Sequence, residues 1–174
     1  MLSREDIIGL LGELADELDA QGIHGDLFLV GGAAMALAYG TRRATSDLDA
    51  VFEPKQVIYE IARQVGDRHG LPADWLNDGV KGFLPGPDPD STVLFDRPGL
   101  SVRIASPGYL FAMKVLAARV ERDEDDIQVL YRLCGFGSVE EALDHVQQIY
   151  PYQPIPPKAQ YLLHELFRPT SENA

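Results

Sequence analysis

Apolar residues recur at helical spacing from near the start of the chain: Ile7, Ile8, Leu10, Leu11, Leu14, Ala15 and Leu18 form one stripe that stops near Gly22. Ser3 and Asp6 just ahead have the spacing of a capping box, so the first element is read as a helix. The period then shortens. Asp26 to Val30 reads as a buried strand, Ala33 to Tyr39 as a short Ala-rich helix, Leu48 to Phe52 as an alternating strand, and Lys55 to Arg68, behind Pro54, as a second amphipathic helix. Trp75 to Phe83 fits neither period. Leu84 to Asp90, with three prolines and a glycine, predicts an exposed loop, and Thr92 to Phe95 with Leu100 to Ala105 predicts a hairpin across Asp96 to Gly99. Pro107 behind Ser106 suits the first position of a helix, and further helices are expected at about Asp123 to Cys134, Val139 to Tyr150 and Pro157 to Phe167. The pattern predicts an α+β fold: a small mixed sheet flanked by helices, then a helical C-terminal half.

Length and composition refine this. A chain of 174 residues, 45% hydrophobic, is read as a single domain, with residues 1–105 as the α/β core and 106–174 as its helical part. Cys134 is the single cysteine and lies in an apolar run, which reads as a packed thiol. The N-terminus lacks a basic segment followed by an apolar one, and no window reaches the length of a membrane span, so the expectation is a cytoplasmic protein with no membrane partner. With 27 acidic and 15 basic residues the net charge is −12, which opposes an extended hold on nucleic acid. Only a local basic patch, drawn from Arg42, Arg43, Lys55, Lys81, Lys114, Arg119 and Arg122, would serve that purpose.

The chemistry concentrates in Leu29-Val30-Gly31-Gly32-Ala33-Ala34 and Arg43-Ala44-Thr45-Ser46-Asp47-Leu48-Asp49-Ala50-Val51-Phe52. In a strand, alternate side chains share a face, so Asp47 and Asp49 project together while Leu48, Ala50 and Phe52 pack the other side. Two like charges so placed call for a hard divalent cation, Mg²⁺ or Mn²⁺. Gly31 and Gly32 lack Cβ atoms and let the backbone approach a ligand, and the N–H groups of the helix that follows suit a phosphate. The four histidines are scattered without metal-ligand spacing, and neither a serine nucleophile elbow nor a Walker loop is present.

The segment Val30 to Phe52 resembles the first active-site motif of the DNA polymerase β-type nucleotidyltransferase superfamily, in a long-spaced form with Arg-x-Thr-x-Asp-Leu-Asp that is similar to the AbiEii- and MenT-like bacterial toxins. A second block, Ser106-Pro107-Gly108-Tyr109-Leu110-Phe111-Ala112-Met113-Lys114 with Ala117-Ala118-Arg119 and Arg122 to Ile127, resembles the helical lysine and later helical carboxylate of those relatives. The resemblance implies transfer of a nucleoside monophosphate from an NTP to an acceptor. Asp47 and Asp49 would hold the metal, Gly31, Gly32, Arg43 and Lys114 would bind the NTP, and Asp126, with Asp123 as the alternative, would be the late carboxylate.

Other roles compete for these residues. Lys114, between Met113 and Val115, also suits a lysine that snorkels to the surface. Asp123 to Asp126 also suit an acidic first helical turn. The hairpin strand where many relatives carry a third acid offers Arg103. For the acceptor, the toxin resemblance implies a tRNA or other RNA end and a cognate antitoxin of a toxin–antitoxin system. A small-molecule acceptor, or a noncatalytic binding module on the same fold, stands beside it.

Overall fold

The computed structural model describes residues 1–40, 44–117 and 119–168. The chain divides into two compact units, Met1–Ser106 and Pro107–Ala174. In the described part of the first, the order is β1 (Leu2–Ser3), α1 (Arg4–Ala20), β2 (Gly25–Leu29), α2 (Gly31–Ala34), β3 (Ala44–Thr45), β4 (Leu48–Glu53), α3 (Lys55–His69), β5 (Leu76–Asn77), β6 (Thr92–Asp96) and β7 (Leu100–Ile104). A mixed five-stranded sheet has the order β5-β4-β2-β7-β6, and β1 pairs separately with β3. β2 runs antiparallel to β4 and parallel to β7, so Leu27 lies between Phe52 and Val102, and Leu29 between Ala50 and Ile104. These six apolar residues share one face, where α1 and α3 pack. A Cβ on Gly25, at the start of that face, would meet Leu18 of α1 and Ile58 of α3. The opposite face carries Asp49, Val51, Phe28 and Arg103.

The capping box at Ser3 and Asp6 forms, with both reciprocal hydrogen bonds, and starts α1 where the pattern placed it. Some boundaries differ from expectation. The helix after β2 opens at Gly31, not Ala33, because glycines carry no side chain to mark the apolar period. It continues as a π-helical turn, Met35–Tyr39, that ends at left-handed Gly40. The ambiguous segment divides into the two-residue strand β5, parallel to β4, and a 3-10 turn at Lys81–Phe83.

The second unit contains α4 (Pro107–Ala117), α5 (Val120–Cys134), α6 (Val139–Ile149) and α7 (Pro157–Leu166). α4 packs against α5 and α6, which both meet α7. Tyr109 to Ala112 are buried in succession, the mark of a central helix with no solvent face there. Phe111, Tyr131 and Phe136 form an aromatic core, and Phe167 stacks on Tyr131 at 3.7 Å. α5 opens at Val120, one turn before the predicted Asp123. No helix among the described residues is long and apolar enough to cross a membrane.

Glycine packing gives a direct check. The Gly99 carbonyl accepts the Gly25 N–H, and Gly99 lies against the α1 backbone, where a Cβ would strike the Ala15 carbonyl and lie 2.7 Å from the Asp19 nitrogen. Gly99→Ala is expected to cost about 3 kcal/mol, because backbone cannot yield as a side-chain tip does. Gly9, in the interior of α1, should behave oppositely, since a Cβ added there would meet nothing within 4 Å. Gly9→Ala should gain about 0.5–1 kcal/mol. Thermal unfolding followed by circular dichroism checks both signs.

Candidate active site

Asp47 and Asp49 sit where the chain enters β4. Thr45 is buried, and its hydroxyl donates to the Asp47 carbonyl at 3.1 Å, which sets the bend ahead of the strand. Within β4, Leu48, Ala50 and Phe52 are buried while Asp49 and Val51 are half-buried, so the expected alternation holds. Asp47 Oδ1 accepts from the Ser46 hydroxyl at 2.7 Å, and Oδ2 accepts from the Asn77 amide at 3.4 Å. Asp49 stands opposite Asn77 in the β4–β5 register, and its carbonyl accepts the Val30 N–H at 3.0 Å.

That last bond draws the turn after β2 over the second acid. Gly31 has φ 61°, and a Cβ there would lie 2.8 Å from Asp49 Oδ2. A side chain would be strained by the dihedral angle and would displace the carboxylate. Gly32 follows in the first turn of α2, partly exposed. The structure therefore brings Gly31 to Asp49 and Asn77 to Asp47, with Gly32 next to Gly31 along the chain. Arg43 lies outside the described residues.

In the helical unit, Lys114 is 8% exposed, and its ammonium lies 2.8 Å from Asp123 Oδ1 and 2.9 Å from Asp126 Oδ2. The two acids are as deeply buried as the lysine, at 5% and 2% exposed. This corrects the alternative of a snorkelling surface lysine, because α4 has no wet face at that position. It also corrects the acidic first turn: since α5 starts at Val120, Asp123 and Asp126 lie one to two turns inside it and serve a buried cation. Both acids bind the one ammonium.

Of the expected basic patch, three lysines have carboxylate partners, and Arg42, like Arg43, lies outside the described residues. Lys55 is 2.5 Å from Asp78 Oδ2, Lys81 is 3.9 Å from Glu53, and Lys114 is buried in its triad. Arg103 donates through Nε to the Ser91 hydroxyl at 2.9 Å and through Nη2 to the Ser91 carbonyl at 2.6 Å, which ties β7 to the loop before β6. Burial pushes the Cys134 thiol up to about 11, consistent with a packed thiol and not a nucleophile. Sequence reading missed Asn77, Asp78 and Tyr59, the first two in a segment with no period. The faint signal was polar Asn-Asp-Gly directly after apolar Trp75 and Leu76.

The buried triad sets a test of its own. Lys114→Met removes the cation at similar volume and leaves two acids uncompensated, which should cost about 3–5 kcal/mol in chemical denaturation. Asp123→Asn or Asp126→Asn should cost less, since one carboxylate still holds the ammonium. A Lys114→Met protein as stable as the wild type would show that the ion pairs contribute nothing to the fold.

A family model described as a nucleotidyltransferase of unknown function (DUF6036) matches residues 8–154, from within α1 to just before α7. No curated protein and no solved structure matches the chain. The matched span includes Gly31, Gly32, Asp47, Asp49, Lys114, Asp123 and Asp126. With most of its length so covered, the chain belongs to this family of nucleotidyltransferases.

Proposed function

We propose that the chain transfers a nucleoside monophosphate from an NTP to an acceptor, assisted by Mg²⁺ or Mn²⁺ held by Asp47 and Asp49. The observation that carries this reading is the approach of Gly31 to the Asp49 carboxylate, beside Asn77, which stands opposite Asp49 in register and reaches Asp47. Among the described residues no group of three or more His, Cys, Asp or Glu side chains is arranged around a metal position. Two carboxylates nevertheless fit Mg²⁺, which takes one or two protein acids and completes its shell with water and substrate phosphates. Bound there, the cation would polarise the α-phosphate and offset the charge that builds on the leaving pyrophosphate.

The chain's own residues would do the positioning. Gly31 and Gly32 admit a phosphate close to the backbone, with Arg43 as a further phosphate ligand. The acceptor oxygen attacks the α-phosphorus as the bond to pyrophosphate breaks, so in-line orientation is the main task. Lys114 as a triphosphate ligand and Asp126 as the late carboxylate rest on the resemblance alone, since in the helical unit the ammonium is already held by both Asp123 and Asp126.

The finer proposal, a tRNA end as acceptor for a toxin with a cognate antitoxin, rests on the Arg43 to Asp49 motif and its resemblance to AbiEii- and MenT-like toxins. The net charge of −12 favours a second reading, a small-molecule hydroxyl or amine acceptor.

Incubation with each α-labelled NTP, Mg²⁺ and either total RNA or a small-metabolite extract tests both. Label should enter one acceptor pool with the wild type and none with Asp49→Asn, whose melting temperature should hold or rise as repulsion between neighbouring acids falls. Gly31→Ala should lower transfer at least tenfold by displacing the Asp49 carboxylate. Full transfer by folded Asp49→Asn would refute the metal assignment.

A further inference from the structure

β5 is only two residues long, yet it is held firmly. The Leu48 N–H donates to the Trp75 carbonyl at 2.7 Å, and the buried Trp75 indole donates to the Ala62 carbonyl of α3 at 2.8 Å. Past the strand, Asp78 closes onto the same helix. The Tyr59 hydroxyl donates to Asp78 Oδ1 at 2.6 Å and accepts the Asp78 N–H at 3.1 Å, while Lys55 lies against Oδ2. Phe52 of β4 packs edge-on to the Tyr59 ring at 4.9 Å. Hydrogen bonds from Lys55 and Tyr59 hold the Asp78 carboxyl below its usual range, and the bond to Asp78 raises Lys55. The lowered acid loses its contribution only as pH falls through its folded value, and the raised lysine loses its own only as pH rises through its folded value. The clamp is therefore intact across the neutral range.

What this clamp fixes is Asn77. Its Oδ1 accepts the Gly79 N–H at 3.1 Å, which settles the orientation of the amide and turns its NH₂ toward Asp47 Oδ2. The same residue stands opposite Asp49 in register. A neutral donor suits this place. An ammonium would neutralise the acids and compete with a cation, and a third carboxylate would add repulsion, whereas an amide N–H orients a carboxylate and leaves its charge intact.

We infer that Asn77 is a positioning residue for the Asp47 carboxylate, tuning the affinity of the Asp47 and Asp49 pair for a divalent cation, and that the Tyr59–Asp78 clamp holds it in place. The inference rests on the proposed metal role of those two acids. Neither Asn77 nor Tyr59 is assigned contact with substrate.

The test is Mn²⁺ binding followed by electron paramagnetic resonance, with the protein alone and with a nonhydrolysable NTP, beside melting temperatures. Wild type should bind Mn²⁺ and Asp49→Asn should not. Asn77→Ala should weaken binding about 10- to 100-fold. Tyr59→Phe, which removes the clamp hydroxyl without opening a cavity, should weaken it less, while the Mn²⁺ needed for half-maximal transfer rises more than saturated kcat falls. Wild-type Mn²⁺ affinity in folded Asn77→Ala and Tyr59→Phe overturns the inference and leaves the metal reading standing. Failure of the wild type to bind Mn²⁺ in an Asp49-dependent way removes both.

Discussion

The antiparallel pairing of β2 with β4 is the constraint on which the first unit depends. Leu27 opposite Phe52 and Leu29 opposite Ala50 place the apolar residues of both strands on the face that α1 and α3 cover. The same register turns Asp49 to the other face and brings its carbonyl to the Val30 N–H, which draws Gly31 onto the carboxylate. A slip of one residue would bury Asp49 and expose Phe52. Core and candidate site are thus specified by one set of hydrogen bonds, and the hydrophobic gain that fixes the register also holds the acid in place.

The two units treat clustered acids differently. In the helical unit, Asp123 and Asp126 are deeply buried and share the Lys114 ammonium at hydrogen-bonding distance, the condition under which charges survive removal from water. In the sheet unit, Asp47 is only half-buried and is held by neutral donors, the Ser46 hydroxyl and the Asn77 amide. A carboxylate held that way is oriented but keeps its charge. That difference at Asp47 favours the metal proposal for the acids beside β4 over one for the acids of α5, which already hold an ammonium.

Legibility followed period. The stripe from Ile7 to Leu18, the alternation from Leu48 to Phe52 and the caps at Ser3 and Pro107 are local signals, and the elements they predict form with ends shifted by a residue or two. The alternation of β4 was readable for the same reason, and it turns Asp49 away from the core, while Asp47 lies in the bend just ahead of the strand. β5 was not readable, because two residues carry no period and the strand exists through Trp75, whose partners lie on β4 and α3. Asn77 went unnoticed with it. The burial of Lys114 was equally hidden: the residue looks like many helical lysines, and only the packing of α4 against two further helices removes its route to water.

Charge gives the last constraint on what the site accepts. Much of the positive charge is committed internally: Lys55 to Asp78, Lys114 to two acids, and Arg68 to Glu13 and Glu17. Affinity for a nucleic acid backbone grows with the number of phosphates that cations neutralise, and a net charge of −12 opposes an extended contact of that kind. Selection of an acceptor must then come from shape and hydrogen bonding close to the reacting oxygen, over a contact of a few nucleotides or one small molecule. A divalent cation at Asp47 and Asp49 would also bridge to the substrate phosphates, so metal and nucleotide would bind better together than apart. The net charge of −12 is thus compatible with the proposed nucleotidyl transfer and favours, within that proposal, a short end or a compact molecule as acceptor.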